Sequence, residues 1–164
     1  MSLNETNTFS FLENIVPVAA LNAKKMEELI FEDASSAIMK ARIFVEEILS
    51  EVFKQEKVEE YHLSTLFDKI SYLSREGYIQ REIQRSFDTI RFTGNKAAHD
   101  GNFDDLAEAL KLHKEVYKIA VWFFEVYSAD HVKIPPYQQP KPRQIEDIVN
   151  QQILALLGAG AFNH

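Results

Sequence analysis

The chain contains no cysteine. Disulfide bonds, zinc sites built on thiolates and thiol nucleophiles are therefore excluded, and a reducing, cytoplasmic compartment is expected. Glycine and proline are scarce, with five of each in 164 residues. One proline lies at position 17 and the other four lie within residues 135–142. Because proline breaks helices, the long interval without it favours helical structure.

No apolar run approaches the length needed to cross a membrane, and no basic segment precedes an apolar stretch at the amino terminus. We therefore expect neither a membrane partner nor a secretory signal. The formal net charge is -7, which opposes strong autonomous binding to a phosphate backbone. Between residues 75 and 99 the balance reverses, so nucleic-acid contact is expected to be local. The basic residues there are Arg75, Arg81, Arg85, Arg91 and Lys96.

Apolar residues recur every three or four positions through much of the chain, which predicts an all-α, up-and-down bundle of four to five helices. The first helical pattern covers about 21–55, with a possible break near "EDASS", where Asp33, Ser35 and Ser36 are good N-caps for a second helix. Further helices are predicted over about 62–75 and 79–99. Another is expected to follow Asn102, as its cap, and to reach about residue 128.

The proline-rich segment suggests two parts: a bundle domain over residues 1–130, and a connector with a short amphipathic helix over residues 131–164. Gly77 is predicted to take a left-handed conformation that ends the helix before it. Within the bundle, apolar positions define the predicted core faces. For the shorter helices these are Leu63, Leu66, Phe67, Ile70 and Leu73, then Ile79, Ile83, Phe87, Ile90, Gly94 and Ala97. For the long helices they are Ile38, Ala41, Val45, Ile48, Leu49, Val52 and Phe53, then Leu106, Leu110, Tyr117, Ala120 and Phe124.

Three further features favour structural roles. Gly94 inside a helix costs about 1 kcal/mol relative to alanine, so close approach of another backbone is the expected compensation. Arg42 and Glu46 are four residues apart and are predicted to form a partly buried ion pair. The aromatic cluster near residue 124 is expected to belong to the core rather than to a platform for bases. Its members are Trp122, Phe123, Phe124 and Tyr127.

The segment "TIRFTGNKAAHDG", residues 89–101, carries the chemistry. On a helix Arg91, Asn95 and His99 share one polar strip, since each residue advances by about 100°. A guanidinium, an amide and an imidazole could bind phosphate, could cleave RNA without metal, or could simply end a helix. All three interpretations remain open. No phosphate loop or metal-spaced histidine pair occurs, so neither cofactor nor metal is expected.

Five segments, taken in order, resemble the amino-terminal domain of type I restriction enzyme R (HsdR) subunits and related DEAD/DEAH helicase-like proteins. They are "TNTFSFLE", "EDASSAIMKARIFVEEILSEVF", "LFDKISYLSREGYI", "IRFTGNKAAHDG" and "EALKLHKEVYKIAVWFFEVY", within about residues 8–128. That domain in turn resembles the HEPN group of helical bundles, many of which are dimeric ribonucleases. The resemblance implies an accessory module of a DNA restriction or helicase machine, with its motor and nuclease encoded further along the chain.

The resemblance also implies site residues. The HEPN ribonuclease motif has an arginine, often followed by asparagine, and then a histidine after four to six intervening residues. His99 and Asn95 match, but Gly94 stands where the arginine is expected, and Arg91 is the nearest alternative. The leading hypothesis is therefore a non-catalytic docking domain that binds other domains or subunits of the complex. Weak contact with DNA or RNA would use Arg81, Arg85, Arg91, Lys96 and His99.

Two alternatives stay open. One is a metal-independent ribonuclease that forms its site across a homodimer and uses Arg91, Asn95 and His99. The other is a purely structural dimerisation module.

Overall fold

A computed structural model of the chain describes residues 8–97, 105–142 and 145–161, and these residues contain helices and no strand. The predicted all-α class is confirmed. A short 3-10 turn, Ser10–Leu12, precedes six helices in the described residues: five of the predicted bundle and one in the predicted carboxy-terminal segment. They are α1 (Pro17–Leu29), α2 (Ala34–Gln55), α3 (Leu66–Arg75), α4 (Arg81–Ala97), α5 (Asp105–Tyr127) and α6 (Ile145–Ala161). His99 and the predicted cap Asn102 lie outside the described residues.

Polar caps set the helix boundaries. Asp33 accepts a hydrogen bond from the backbone N–H of Ser36, at 3.1 Å, which separates α1 from α2 as predicted. Thr65 accepts from the N–H of Asp68, so α3 begins four residues later than predicted. Gly77 has a φ of +82°, which confirms the predicted left-handed end of α3.

The core forms where α2 and α5 pack together, with α1 and α4 against both of them and α3 against α2 and α4. Every residue of the predicted α2 stripe is buried. Phe123 and Phe124 are buried and their aromatic neighbours Trp122 and Tyr127 pack against the core, which confirms the structural interpretation of that cluster. In the described part of the chain, no helix is long and apolar enough to span a membrane.

The prediction of a core position is wrong for two residues. Phe67 is 56% exposed, because α3 buries only Ile70 and Leu73 and turns Phe67 outward. Leu106 is 43% exposed, since the predicted stripe of α5 follows one edge of the buried face. Smaller and polar residues, which the apolar pattern did not count, help form the centre of that face. The buried residues of α5 are Ala109, Leu112, His113, Val116, Ile119, Ala120, Phe123 and Phe124.

Candidate nucleic-acid interface

The exposed face of α4 carries a basic stripe formed by Arg81, Arg85 and Lys96. With about 100° per residue, these three positions and Phe92 fall within an arc of about 60°. The stripe exists because the opposite face of α4 is committed to the core through Phe87 and Ile90. Polar and charged residues are thus left on the solvent side. In the described part of the chain no carboxylate pairs with the three bases.

Arg91 lies at the edge of this face and is already engaged. Its Nε lies 3.4 Å from Oδ1 of Asp88, and its side chain is only 22% exposed. Its guanidinium carbon also lies 5.3 Å from the centre of the Phe67 ring, a cation–π geometry. The positive charge of Arg91, which was predicted to contact phosphate, therefore has a carboxylate and an aromatic ring as neighbours.

Asn95 meets a different arginine. Nη1 of Arg42, on α2, donates a hydrogen bond of 2.8 Å to Oδ1 of Asn95, while its Nε lies 3.7 Å from Oε1 of Glu46. The Arg42 and Glu46 side chains are 34% and 49% exposed, respectively. Sequence reasoning missed the contact between Arg42 and Asn95, because 53 positions separate the two residues.

The same arginine is the neighbour of Gly94. A Cβ added there would lie 3.6 Å from Cδ of Arg42, and no other heavy atom of the described residues beyond the local backbone of α4 falls within 4 Å. The prediction that a second backbone approaches Gly94 is therefore wrong, and the neighbour is the aliphatic part of the Arg42 side chain. Ordinary van der Waals contact at this distance leaves room for a methyl group.

An open groove of about 480 Å³, the α4 groove, lies beside the basic stripe. Of the residues that the structure describes, three cations and a single carboxylate line it, together with Phe92. Lys111, contributed by α5, was not predicted as a site residue, since its position becomes informative only once α4 and α5 are packed together. The lining residues are Arg85, Asp88, Thr89, Arg91, Phe92, Thr93 and Lys111.

A buried polar cluster lies elsewhere, around His113 of α5, whose side chain is fully buried. Its Nε2 lies 2.9 Å from Oε1 of Glu27, and its Nδ1 lies 2.9 Å from the hydroxyl of Tyr137. A neutral ring satisfies this geometry when Tyr137 donates to Nδ1 and Nε2–H donates to Glu27. Thr8 also donates to Glu27, at 2.5 Å.

This cluster fastens the proline-rich connector to the bundle. Tyr137 belongs to the connector, and Tyr117 of α5 also donates a hydrogen bond to the backbone carbonyl of Pro135. Both ring nitrogens of His113 are occupied, so the imidazole acts as a structural bridge between α1, α5 and the connector. Sequence reasoning missed it, although its spacing from Ala109 and Val116 on α5 suits a buried position.

The connector makes the stability of the fold depend on pH in the alkaline range. Burial, followed by the negative charge of Glu27, raises the pKa of Tyr137 to about 12. Because the same hydroxyl titrates near pH 10 when unfolded, its contribution to stability is complete below about pH 10 and is lost as the pH rises towards about 12. Between about pH 9 and pH 11, the urea midpoint is expected to fall less in Tyr137→Phe than in the unmodified chain. Equal falls in the two chains would contradict this prediction. Because Tyr117 and Tyr127 are present in both chains, the difference between the two falls removes their contributions.

No group of three or more metal-ligating side chains occurs within the described residues. A protein-family model described as a domain of unknown function, DUF4145, matches residues 24–153. No curated protein and no solved structure matches the chain. The family match begins in α1 and ends in α6, so it includes the connector, whereas the division at residue 130 stays a prediction.

Proposed function

This chain belongs to the DUF4145 family, and we propose that it is a non-catalytic accessory domain of a type I restriction R subunit or a related helicase, with a HEPN-like bundle. In this proposal the domain docks onto other parts of the machine and touches nucleic acid weakly through α4. The observation that carries the proposal is the basic stripe of α4, whose cations have no carboxylate partner in the described part of an otherwise acidic chain.

The charges of the stripe suit local phosphate contact. Arg85 and Lys96 are exposed, and about 11 residues of helix separate them, a rise of roughly 16 Å at 1.5 Å per residue. Contacts of this kind depend on salt, since each neutralised phosphate releases counterions. A net charge of -7 keeps the total affinity low, which is expected of a domain that works beside a stronger nucleic-acid motor.

Helix α6 supports the docking part of the proposal. It contacts none of the other helices within the described residues. Several of its apolar side chains are exposed, and Leu156 is the most exposed at 73%. An apolar helix of this kind is typical of a segment that packs on another domain or subunit. The large apolar side chains of α6 that are exposed, among those that the structure describes, are Val149, Ile153, Leu154, Leu156 and Leu157.

The geometry around Asn95 supports a non-catalytic role. Arg91 is held by Asp88 and Phe67, and the hydrogen bond to Asn95 comes from Arg42 instead. Arg42 does reach Asn95, but Glu46 neutralises part of its charge. Each guanidinium therefore already has a carboxylate beside it, which weakens the positive charge that it could offer to a pentacovalent phosphate.

The charge of α4 is tested by neutral substitutions. Arg85→Gln and Lys96→Gln are each expected to weaken binding of a labelled oligonucleotide at low salt. Each change is also expected to reduce the steepness of the log–log salt dependence by about 0.7, since one phosphate contact of a single strand is lost. Fluorescence anisotropy over a salt series measures both quantities. Lys25→Gln, which removes an exposed lysine of α1, is the matched control.

Equal weakening by Lys25→Gln would show that overall charge, and not α4, governs binding. Absence of binding at low salt would remove the nucleic-acid part of the proposal and leave docking. An RNA oligonucleotide is expected to stay intact in EDTA. Cleavage that is lost in His99→Ala would contradict the non-catalytic role and favour the ribonuclease, with Arg42 as the next residue to replace.

A further inference from the structure

Two exposed aromatic rings accompany Arg91. Phe92 is 62% exposed and lines the α4 groove, and Phe67 of α3 is 56% exposed with the Arg91 guanidinium over its ring. Neither ring contributes to the core. Exposed aromatic area next to a guanidinium plane is the surface on which a nucleobase can stack, since every base offers an apolar face.

Cations reach the same groove from two helices. Arg85 lies on α4 and Lys111 on α5, and neither side chain forms an ion pair or hydrogen bond in the described part of the chain. Asp88 is the only carboxylate among the described residues that line the groove, and it is occupied by Arg91. The groove therefore combines an available aromatic face with two available positive charges.

We propose that the α4 groove binds single-stranded nucleic acid, with a base stacked on Phe92 and the flanking phosphates held by Arg85 and Lys111. This inference rests on the proposed nucleic-acid contact and names the form of ligand that α4 recognises. A duplex is disfavoured, because its bases are stacked on each other and do not present their faces. A volume of about 480 Å³ lies within the range of sites that hold small ligands, so it suits a single nucleotide unit.

An acidic peptide is the main competitor for such a surface, because it would also satisfy the cations. Its acidic side chains supply no flat aromatic face, however, and so would leave Phe92 without a stacking partner. Substitutions of the Phe92 ring distinguish the two ligands, because only a nucleobase would stack on it. Phe92→Leu keeps an apolar side chain but removes the aromatic face, whereas Phe92→Trp enlarges that face.

The test uses the full chain and three labelled probes at low salt: a single-stranded oligonucleotide of about 12 nucleotides, its duplex, and a polyglutamate of similar charge. The single strand is expected to bind tightest. Phe92→Ala and Phe92→Leu are expected to weaken it about tenfold or more, and Phe92→Trp to retain it. Tyr61→Ala, which removes another exposed aromatic ring outside the groove, is expected to change nothing.

Urea denaturation of each variant checks that the fold is retained. Equal affinity for single strand and duplex, or unchanged binding in Phe92→Leu, would overturn base stacking while leaving the charge-based contact of α4 intact. Tighter binding of polyglutamate would assign the groove to a protein partner and overturn the inference as well. If the unmodified chain binds none of the three probes, the inference is overturned together with the nucleic-acid part of the proposed function.

Discussion

Replacing His113 with phenylalanine is expected to lower the free energy of unfolding by about 2–3 kcal/mol. Phenylalanine fills similar space, so the loss comes mainly from hydrogen bonding. The hydroxyl of Tyr137 loses its acceptor and Oε1 of Glu27 loses its 2.9 Å donor. A carboxylate whose side chain is 24% exposed recovers only part of this interaction from water.

Urea denaturation followed by circular dichroism measures the effect. His131→Phe changes an exposed histidine of the connector and is the matched control, with an expected change of less than about 0.5 kcal/mol. A combined His113→Phe and Tyr137→Phe chain is expected to lose less than the sum of the two single changes, because both remove the same bond. Strict additivity, or an unaffected His113→Phe protein, would show that the cluster does not hold the connector.

The sequence predicts the fold well where the signal is local. Asp33 and Gly77 mark helix ends because a cap depends on a few neighbouring residues, and both predictions are confirmed. The apolar stripe of α2 is equally clear, since α2 is covered by four other helices and buries a broad face. The stripe of α5 is harder to read, because alanine and histidine lie near the centre of its buried face.

The candidate site is predictable only in part, since it depends on contacts between helices. The basic residues of α4 follow from helical spacing alone. The engagement of Arg91 with Phe67 and the bond from Arg42 to Asn95 need the packing of α3 and α2 against α4. Glycine at position 94 indicated a close neighbour, but nothing local could identify that neighbour as an arginine side chain.

Removing residues 131–164 is expected to cost about 3–4 kcal/mol, because the connector is bonded to the bundle. The deletion removes the hydroxyl on Nδ1 of His113, the Pro135 carbonyl that accepts from Tyr117, and the packing of Ile134 on the core. Two hydrogen bonds at about 1 kcal/mol each, together with the apolar area that Ile134 and Tyr137 bury, give this magnitude. Thermal and urea denaturation measure the loss.

Removal of residues 143–164 alone is the matched deletion. It keeps Tyr137 and takes away α6, which contacts no other helix among the described residues, so a change of less than about 0.5 kcal/mol is expected. If the longer deletion costs no more than the shorter one, the bundle ends near residue 130 and the connector is only a tether. If the costs differ as expected, the bundle extends through Tyr137. Its surface then presents α6 from a fixed point beside α1 and α5, as a docking helix requires.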